Sequence, residues 1–560
     1  MRPTDLLAPL ALSLALLGCP ADQGEVAKGE GGSGGREPSE APAKPQTPAP
    51  RPAYVPPPLL EVPPPTVDSP AITERGEVVA TLQLPGGASL GDLAPLLDGF
   101  KPGTAALARM QLPTLLKELS GVDLAGADLS APIAALVVNP QGRTKPVALL
   151  VAVNDLDALR KAASEAGQEL REREGFALIG PADVVAVAEA YAFTHLRTQP
   201  AHTELVVYPR LLLEPMLAQL QTTFAQLGTM GLGNPASFES FGKVYVDMLR
   251  ALAEQSDRVV LSVSVGTTGS DIYMRVYPQP NTNFASFVSA QVPADHALLA
   301  KLPAGPAGAF VMSGTLHAGG AKDAMIAMAE SLMQIFYPLE SNTWARLMAS
   351  MLETFDGSFA AQIALQMPIV PDPPLGASPI MTMQVLYGSS DADASRRIWR
   401  EVFGLIGGPE RPPLELAGMK MSVEFQADAL AHEGVAIDSY ATKLDLSGIS
   451  SEAQAVMAQA NATQPIYFAA FDRVIGMASS PEATTALIDA ARGKGQTFVP
   501  NETLARALAA STARGDSFAY FLDLASMLPA NLPEPPPISA MVMSLGKQGE
   551  ALSLCVSLQK

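Results

Sequence analysis

Ala551-Leu552-Ser553-Leu554-Cys555-Val556-Ser557-Leu558 alternates a large apolar residue with a small one at each step. A period of two belongs to a β-strand, whose successive side chains point to opposite faces. Leu552, Leu554, Val556 and Leu558 therefore share one face, and Ser553, Cys555 and Ser557 share the other. Cys555 reads as a small residue on the thinner face rather than a reactive thiol, since no histidine lies nearby in sequence to lower its pKa. Just upstream, Ile538 to Leu545 alternates in the same way, and Gly546-Lys547-Gln548-Gly549 separates the two runs. Together they predict a β-hairpin of a sheet covered on one face.

Working back along the chain, the same unit of strand, helical stretch and hairpin occurs four times. The first has a strand at Glu77 to Leu84, a helix around Ala105 to Leu119, and strands at Ile133 to Val138 and Val147 to Val153 joined through Gly142. The second has Glu204 to Tyr208, helical stretches from Leu211 to Glu254, and strands at Arg258 to Val265 and Asp271 to Tyr277. The third has Ala309 to Met312, helices at Ala321 to Phe336 and Thr343 to Thr354, and strands at Phe359 to Gln366 and Ile380 to Tyr387. The fourth has Ser517 to Leu522, a short apolar turn region, and the hairpin quoted above.

Between the paired units, Asp155 caps a helix ending near Gly167, and Phe176 to Gly180 leads to a helix from Val184. The later counterparts are a helix capped by Ser390 or Asp391 that runs through Phe403, and Ile466 to Ala478 leading to a helix opened by Ser479-Ser480-Pro481-Glu482 and closed by Gly493. The predicted fold is α+β, with two related halves, 76–294 and 295–560, each an antiparallel sheet of hairpins packed against helices. The second half carries extra strands around Met419 to Phe425 and Val435 to Leu446. Chance likeness among short alternating strands is the competing explanation.

Of 560 residues, 48% are hydrophobic and 17% charged, ample for burial in two domains. The formal net charge of −19 repels phosphate backbones, so nucleic acid is not an expected partner.

At the N-terminus, Arg2 precedes the apolar run Leu6 to Leu17, which is shorter than the roughly 20 residues a membrane-spanning helix needs. It reads as a signal peptide, 1–18. The segment Leu16-Leu17-Gly18-Cys19 resembles the lipobox of bacterial lipoproteins. The resemblance implies cleavage before Cys19, diacylglycerol on its sulfur, and a hold on the membrane well beyond that of one acyl chain. Pro20 stands where an aspartate would retain such a protein in the inner membrane, so the resemblance points to the outer membrane of the cell envelope. Residues 19–75, Gly-rich and then Pro-rich with Pro56-Pro57-Pro58 and Pro63-Pro64-Pro65, read as a disordered tether. With Cys19 lipidated, Cys555 has no disulfide partner. The layout of the body resembles exported bacterial lipoproteins built on a duplicated domain of unknown function, and that resemblance implies no activity.

The chain shows no catalytic, cofactor or metal motif. His195, His202, His296, His317 and His432 do not fall at zinc-ligand spacing, and His432-Glu433 lacks the second histidine of a zinc protease helix. Ser544 and Lys547 have the spacing of penicillin-recognising enzymes but lie at a predicted hairpin turn. The acid pairs Asp155 with Asp157 and Asp391 with Asp393 sit where helices begin and read as caps. Met325, Met328, Met333, Met348 and Met351 line two helices that are apolar on more than one face, which suits either an ordinary core or a surface for acyl chains or a partner. The expected function is a membrane-anchored, non-catalytic body that binds or scaffolds another envelope component. The alternative is a carrier of lipid or another hydrophobic ligand, and the third reading is a hydrolase of envelope material.

Overall fold

Among the described residues nineteen strands form one antiparallel sheet, and helices cover both of its flanks. The computed structural model describes residues 76–559 apart from 88–89, 92, 101–102, 197–201, 211–216, 218–221, 224–234, 266–268, 305–309, 337–341, 367–379, 408–413, 417–418, 446–464 and 525–538. The expected lipobox with Cys19, the expected tether and part of the helical stretch expected from Leu211 lie outside the described residues.

In chain order the first half contains β1 (Val78–Leu84), α1 (Leu93–Phe100), α2 (Thr104–Ser120), β2 (Ala127–Val138), β3 (Val147–Val153), α3 (Leu156–Glu165), β4 (Glu169–Arg173), β5 (Phe176–Gly180), α4 (Ala182–His195), β6 (Thr203–Val207), α5 (Pro235–Glu254), β7 (Ser256–Val265), β8 (Gly269–Pro278) and α6 (Asn283–Ala290). The second half contains β9 (Phe310–Thr315), α7 (Lys322–Phe336), α8 (Thr343–Thr354), β10 (Phe355–Gln366), β11 (Ile380–Ser389), α9 (Ala392–Gly407), β12 (Leu414–Leu416), β13 (Met419–His432), β14 (Val435–Asp445), β15 (Ile466–Phe471), β16 (Val474–Ala478), α10 (Pro481–Ala491), α11 (Glu502–Arg514), β17 (Asp516–Asp523), β18 (Ala540–Gln548) and β19 (Ala551–Gln559).

The two halves meet where β8 pairs with β19, with Tyr273 opposite Cys555. Outward from this seam the first half runs β8, β7, β6, β1, β2, β3, β5, β4. The second runs β19, β18, β17, β9, β10, β11, β16, β15, then β14, β13 and β12. Both sides share one plan: a hairpin, the strand preceding it, the first three strands of the half in order, and a further hairpin entered by its second strand. The fold is α+β with two related halves, joined through a single continuous sheet.

Local chemistry sets these elements. Asp155, Thr282, Ser480 and Asn501 cap α3, α6, α10 and α11 by accepting backbone N–H groups three residues on. Glu433-Gly434, between β13 and β14, has positive φ at both residues, the two-residue turn that matches strand twist. The sequence reading missed β4, whose Glu-Leu-Arg-Glu-Arg carries a single apolar residue. As the last strand of the sheet it presents charge at an open edge, which discourages pairing with other chains.

Four main cores hold the flanks. On one face of the first half, Leu149, Val151 and Ile179 pack under α1, α2 and α3, and on the other Leu136, Leu150 and Leu178 pack under α4. In the second half Ala469, Phe471 and Val474 pack with Leu487 and Leu504 of α10 and α11, while Phe468 and Met477 pack on the opposite face with Phe403 of α9. An ion cluster fixes α9 to the sheet. Asp438, its side chain 0% exposed, accepts from Arg396 Nη2 and Arg400 Nη2 at 2.7 Å each and from the Asp428 N–H at 2.8 Å. Burial opposes the charge on Asp438, but Arg400 and Arg396 outweigh it and hold the carboxyl below its ordinary 3.8.

Asp438→Ala leaves two arginines facing a vacated buried position and should cost about 3–5 kcal/mol in urea unfolding. Because the folded pKa is depressed, the wild-type contribution is complete above pH 3.8 and disappears as pH falls through the lower folded value. The stability gap between wild type and Asp438→Asn should therefore narrow below that pH.

Candidate functional site

On the central strands the buried face mixes large apolar residues, Val260, Tyr273, Val311, Phe521 and Val542, with an unusual number of serines. On β7, β8, β19, β18, β17 and β9 the face carrying Ser262, Ser264, Arg275, Ser553, Cys555, Ser557, Ser544 and Ser313 is the buried one. The opposite face carries Val259, Leu261, Val263, Ile272, Met274, Val276, Leu552, Leu554, Val556, Leu558, Met541, Met543, Leu545, Phe518, Tyr520, Leu522, Phe310 and Met312, and each of these is half-buried. The strand registers place these apolar residues side by side without a break. With Phe359 and Ile363 of β10 the surface extends across seven strands, roughly 30 Å at about 4.8 Å per strand. Lys547, at the end of β18, is its one exposed charged residue among the described positions.

Cys555 lies on the serine face as its alternation indicates, but that face is the covered one. Arg514 of α11 reaches across to donate to Ser544 Oγ at 2.9 Å while its guanidinium pairs with the buried Asp516 at 2.9 Å. Burial, partly offset by Arg514, pushes the Cys555 thiol up to about 12. Such a thiol is almost wholly protonated at neutral pH and is a poor nucleophile.

The methionines occupy a row of helices in which α5 packs on α7, α7 on α8, and α8 on α9. Met333, Met348 and Met351 pack around Trp344, Leu347 and Val402, a core between helices rather than against the sheet. Met325 and Met328 are half-buried on α7. Leu252 of α5 and Leu332 of α7 are exposed. At the far end of the row, α9 lies on the leucine-face side, with Trp399 and Phe403 against Phe425, Tyr440 and Phe468.

A polar cluster forms at the tip of the β13–β14 hairpin. His432 Nε2 lies 2.7 Å from Asp489 Oδ1 of α10, and one donor atom each from His432, Glu433 and Asp489 fall within 4.8 Å of one another. One imidazole and two carboxylates are a donor set that a divalent metal accepts. Lys494 pairs with Glu433, and Arg492 donates to the Glu433 carbonyl at 3.2 Å and to Asp472 at 2.7 Å, so cations already serve the acids. The sequence reading stopped at His432-Glu433 because Asp489 is 57 residues away. The other histidines are dispersed: His195 stacks near Tyr191, His317 meets Gln291, and both ring nitrogens of His296 are buried without a hydrogen bond. Ser544 and Lys547 sit in a strand, not on a helix, and the acids Asp155 and Asp391 cap α3 and α9.

No helix among the described residues is long and apolar enough to cross a membrane. No family model, curated protein or solved structure matches the chain.

In the full chain carrying Cys19→Ser, maleimide at pH 8 should label Cys555 only after urea unfolds the protein. Labelling of the native protein at the rate of a free thiol would mean that the serine face is open.

Proposed function

We propose that the protein is a lipid-anchored envelope protein whose body binds the acyl chains of a lipid on the leucine face of its central strands. The observation that carries this reading is the unbroken apolar face left partly accessible across the central strands. A soluble sheet with one covered face normally puts its large apolar residues beneath the cover and its serines toward water. Here serines and an arginine share the covered face with Val260, Phe521 and Val542, while a second set of large apolar side chains is left partly accessible across seven strands of the other face. Contiguous apolar surface on this scale marks a binding site.

Acyl chains suit the surface better than a folded partner. Protein interfaces include hydrogen bonds about every 100–200 Å², whereas among the described residues this face offers side-chain polarity at Tyr520 and, on its border, at Ser270 and Lys547. Met274, Met312, Met541 and Met543 supply flexible, polarisable contacts that adapt to chains of varied shape. The helix row provides the second wall in this reading. The α5 helix leads directly into β7 and α8 into β10, and α7, with Met325 and Met328, spans between them. Location supports the same reading: a lipobox at Cys19 and a long tether would hold the body near the lipids it binds.

The test is a titration of the protein with a fluorescent fatty acid, comparing wild type with the double variant Met543→Glu and Leu554→Glu. Both positions are on the leucine face and already half-exposed, so the variant should keep its circular dichroism while affinity drops at least tenfold. Unchanged binding in a folded variant would refute the site.

A further inference from the structure

The serine face encloses a group of donors that the protein itself leaves unused. Arg275, on β8, is 4% exposed and stands opposite Ser553 of β19, with both side chains on the serine face. Its Nε donates to Gln548 Oε1 of β18 at 3.2 Å. Arg275 Nη1, the Gln548 Nε2 amide and the hydroxyls of Ser553 and Ser262 are all buried and have no hydrogen-bond partner among the described residues. Ser262 lies on neighbouring β7, diagonal to Arg275, which pairs with Val260.

Buried polar groups in folded proteins are nearly always hydrogen-bonded, and three unused ones side by side, on Arg275, Gln548 and Ser553, call for an occupant. The charge narrows its identity. An arginine stays protonated in any protein, and a buried guanidinium without a counter-charge is costly. Neighbouring Arg258 is served by Asp257 at 2.6 Å and lies over the Tyr277 ring. Glu204, beside Ser262 on β6, feels the charges of Arg275 and Arg258, but burial raises its carboxyl above the usual range despite them, and no hydrogen bond joins it to Arg275. A water molecule would satisfy the N–H groups but bring no charge to the guanidinium.

We propose that Arg275, Gln548 and Ser553 form a buried site for a small monovalent anion at the seam between the two halves. The donors come from β8 of the first half and from β18 and β19 of the second, so the bound ion cross-links them. Chloride is the probe: one negative charge matches one guanidinium, and a small monoanion loses less hydration on burial than a phosphate. Because only the folded seam assembles the site, the ion stabilises the fold in proportion to its concentration.

The experiment is 35Cl NMR on the full chain. Wild type should broaden the chloride line, bromide should compete the broadening away, and Arg275→Gln should abolish it. The unfolding midpoint should rise with chloride at fixed ionic strength in wild type and stay flat in the variant. Absence of broadening in wild type, or its appearance only in Glu204→Gln, would overturn the proposal, the latter by showing that Glu204 is the native counter-ion. If Arg275→Gln does not fold, bromide-soaked crystals of wild type decide the matter. An anomalous peak within hydrogen-bond distance of Arg275 Nη1 supports the site, and a water there refutes it.

Discussion

The pairing of β8 with β19 is the constraint on which the rest of the structure depends. Tyr273 opposite Cys555 sets a register that carries the alternation of one half into the other without a change of phase. A slip of one residue would exchange the two faces of a whole half, placing serines against leucines. In the observed register an unbroken set of large apolar residues from Val259 on β7 to Met312 on β9 falls on the same side. The seam thus creates a surface that neither half has alone.

In the proposed reading, stability and binding fall to different parts of the sheet. The flanks hold the conventional cores, with Leu149, Leu150 and Leu178 in one half and Phe468 and Leu487 in the other fully enclosed. The covered face of the centre mixes Val260, Tyr273, Val311, Phe521 and Val542 with serines and charged pairs such as Arg514 with Asp516, which contribute less hydrophobic stabilisation per residue. The opposite face carries a second set of large apolar side chains, half-exposed. Apolar surface that is not buried on folding remains available for a ligand.

Much of this architecture was legible in the sequence. The strand Val147–Val153 and the helix Thr343–Thr354 follow directly from period-two and amphipathic patterning, and Asp155 and Asp391 cap the helices their positions suggest. Strand β4 was not legible because a charged edge strand has no apolar alternation. The direction of burial was also hidden. Alternation in Ala551–Gln559 sorts residues into two faces, but which face is covered depends on where α11 and the helix row settle. The same limit applies to the sites. Asp489 meets His432 across 57 residues, and Arg275 meets Gln548 across 273, so neither grouping leaves a local motif. The methionines were legible as candidates, yet three of them serve a core between helices around Trp344.

Native mass spectrometry of the full chain carrying Cys19→Ser, purified from its host without detergent, tests the central claim most directly. The account requires a reproducible added mass that extracts into organic solvent as a lipid and disappears in the Met543→Glu, Leu554→Glu variant. A bare chain at its calculated mass that also fails to take up added phospholipid would contradict it.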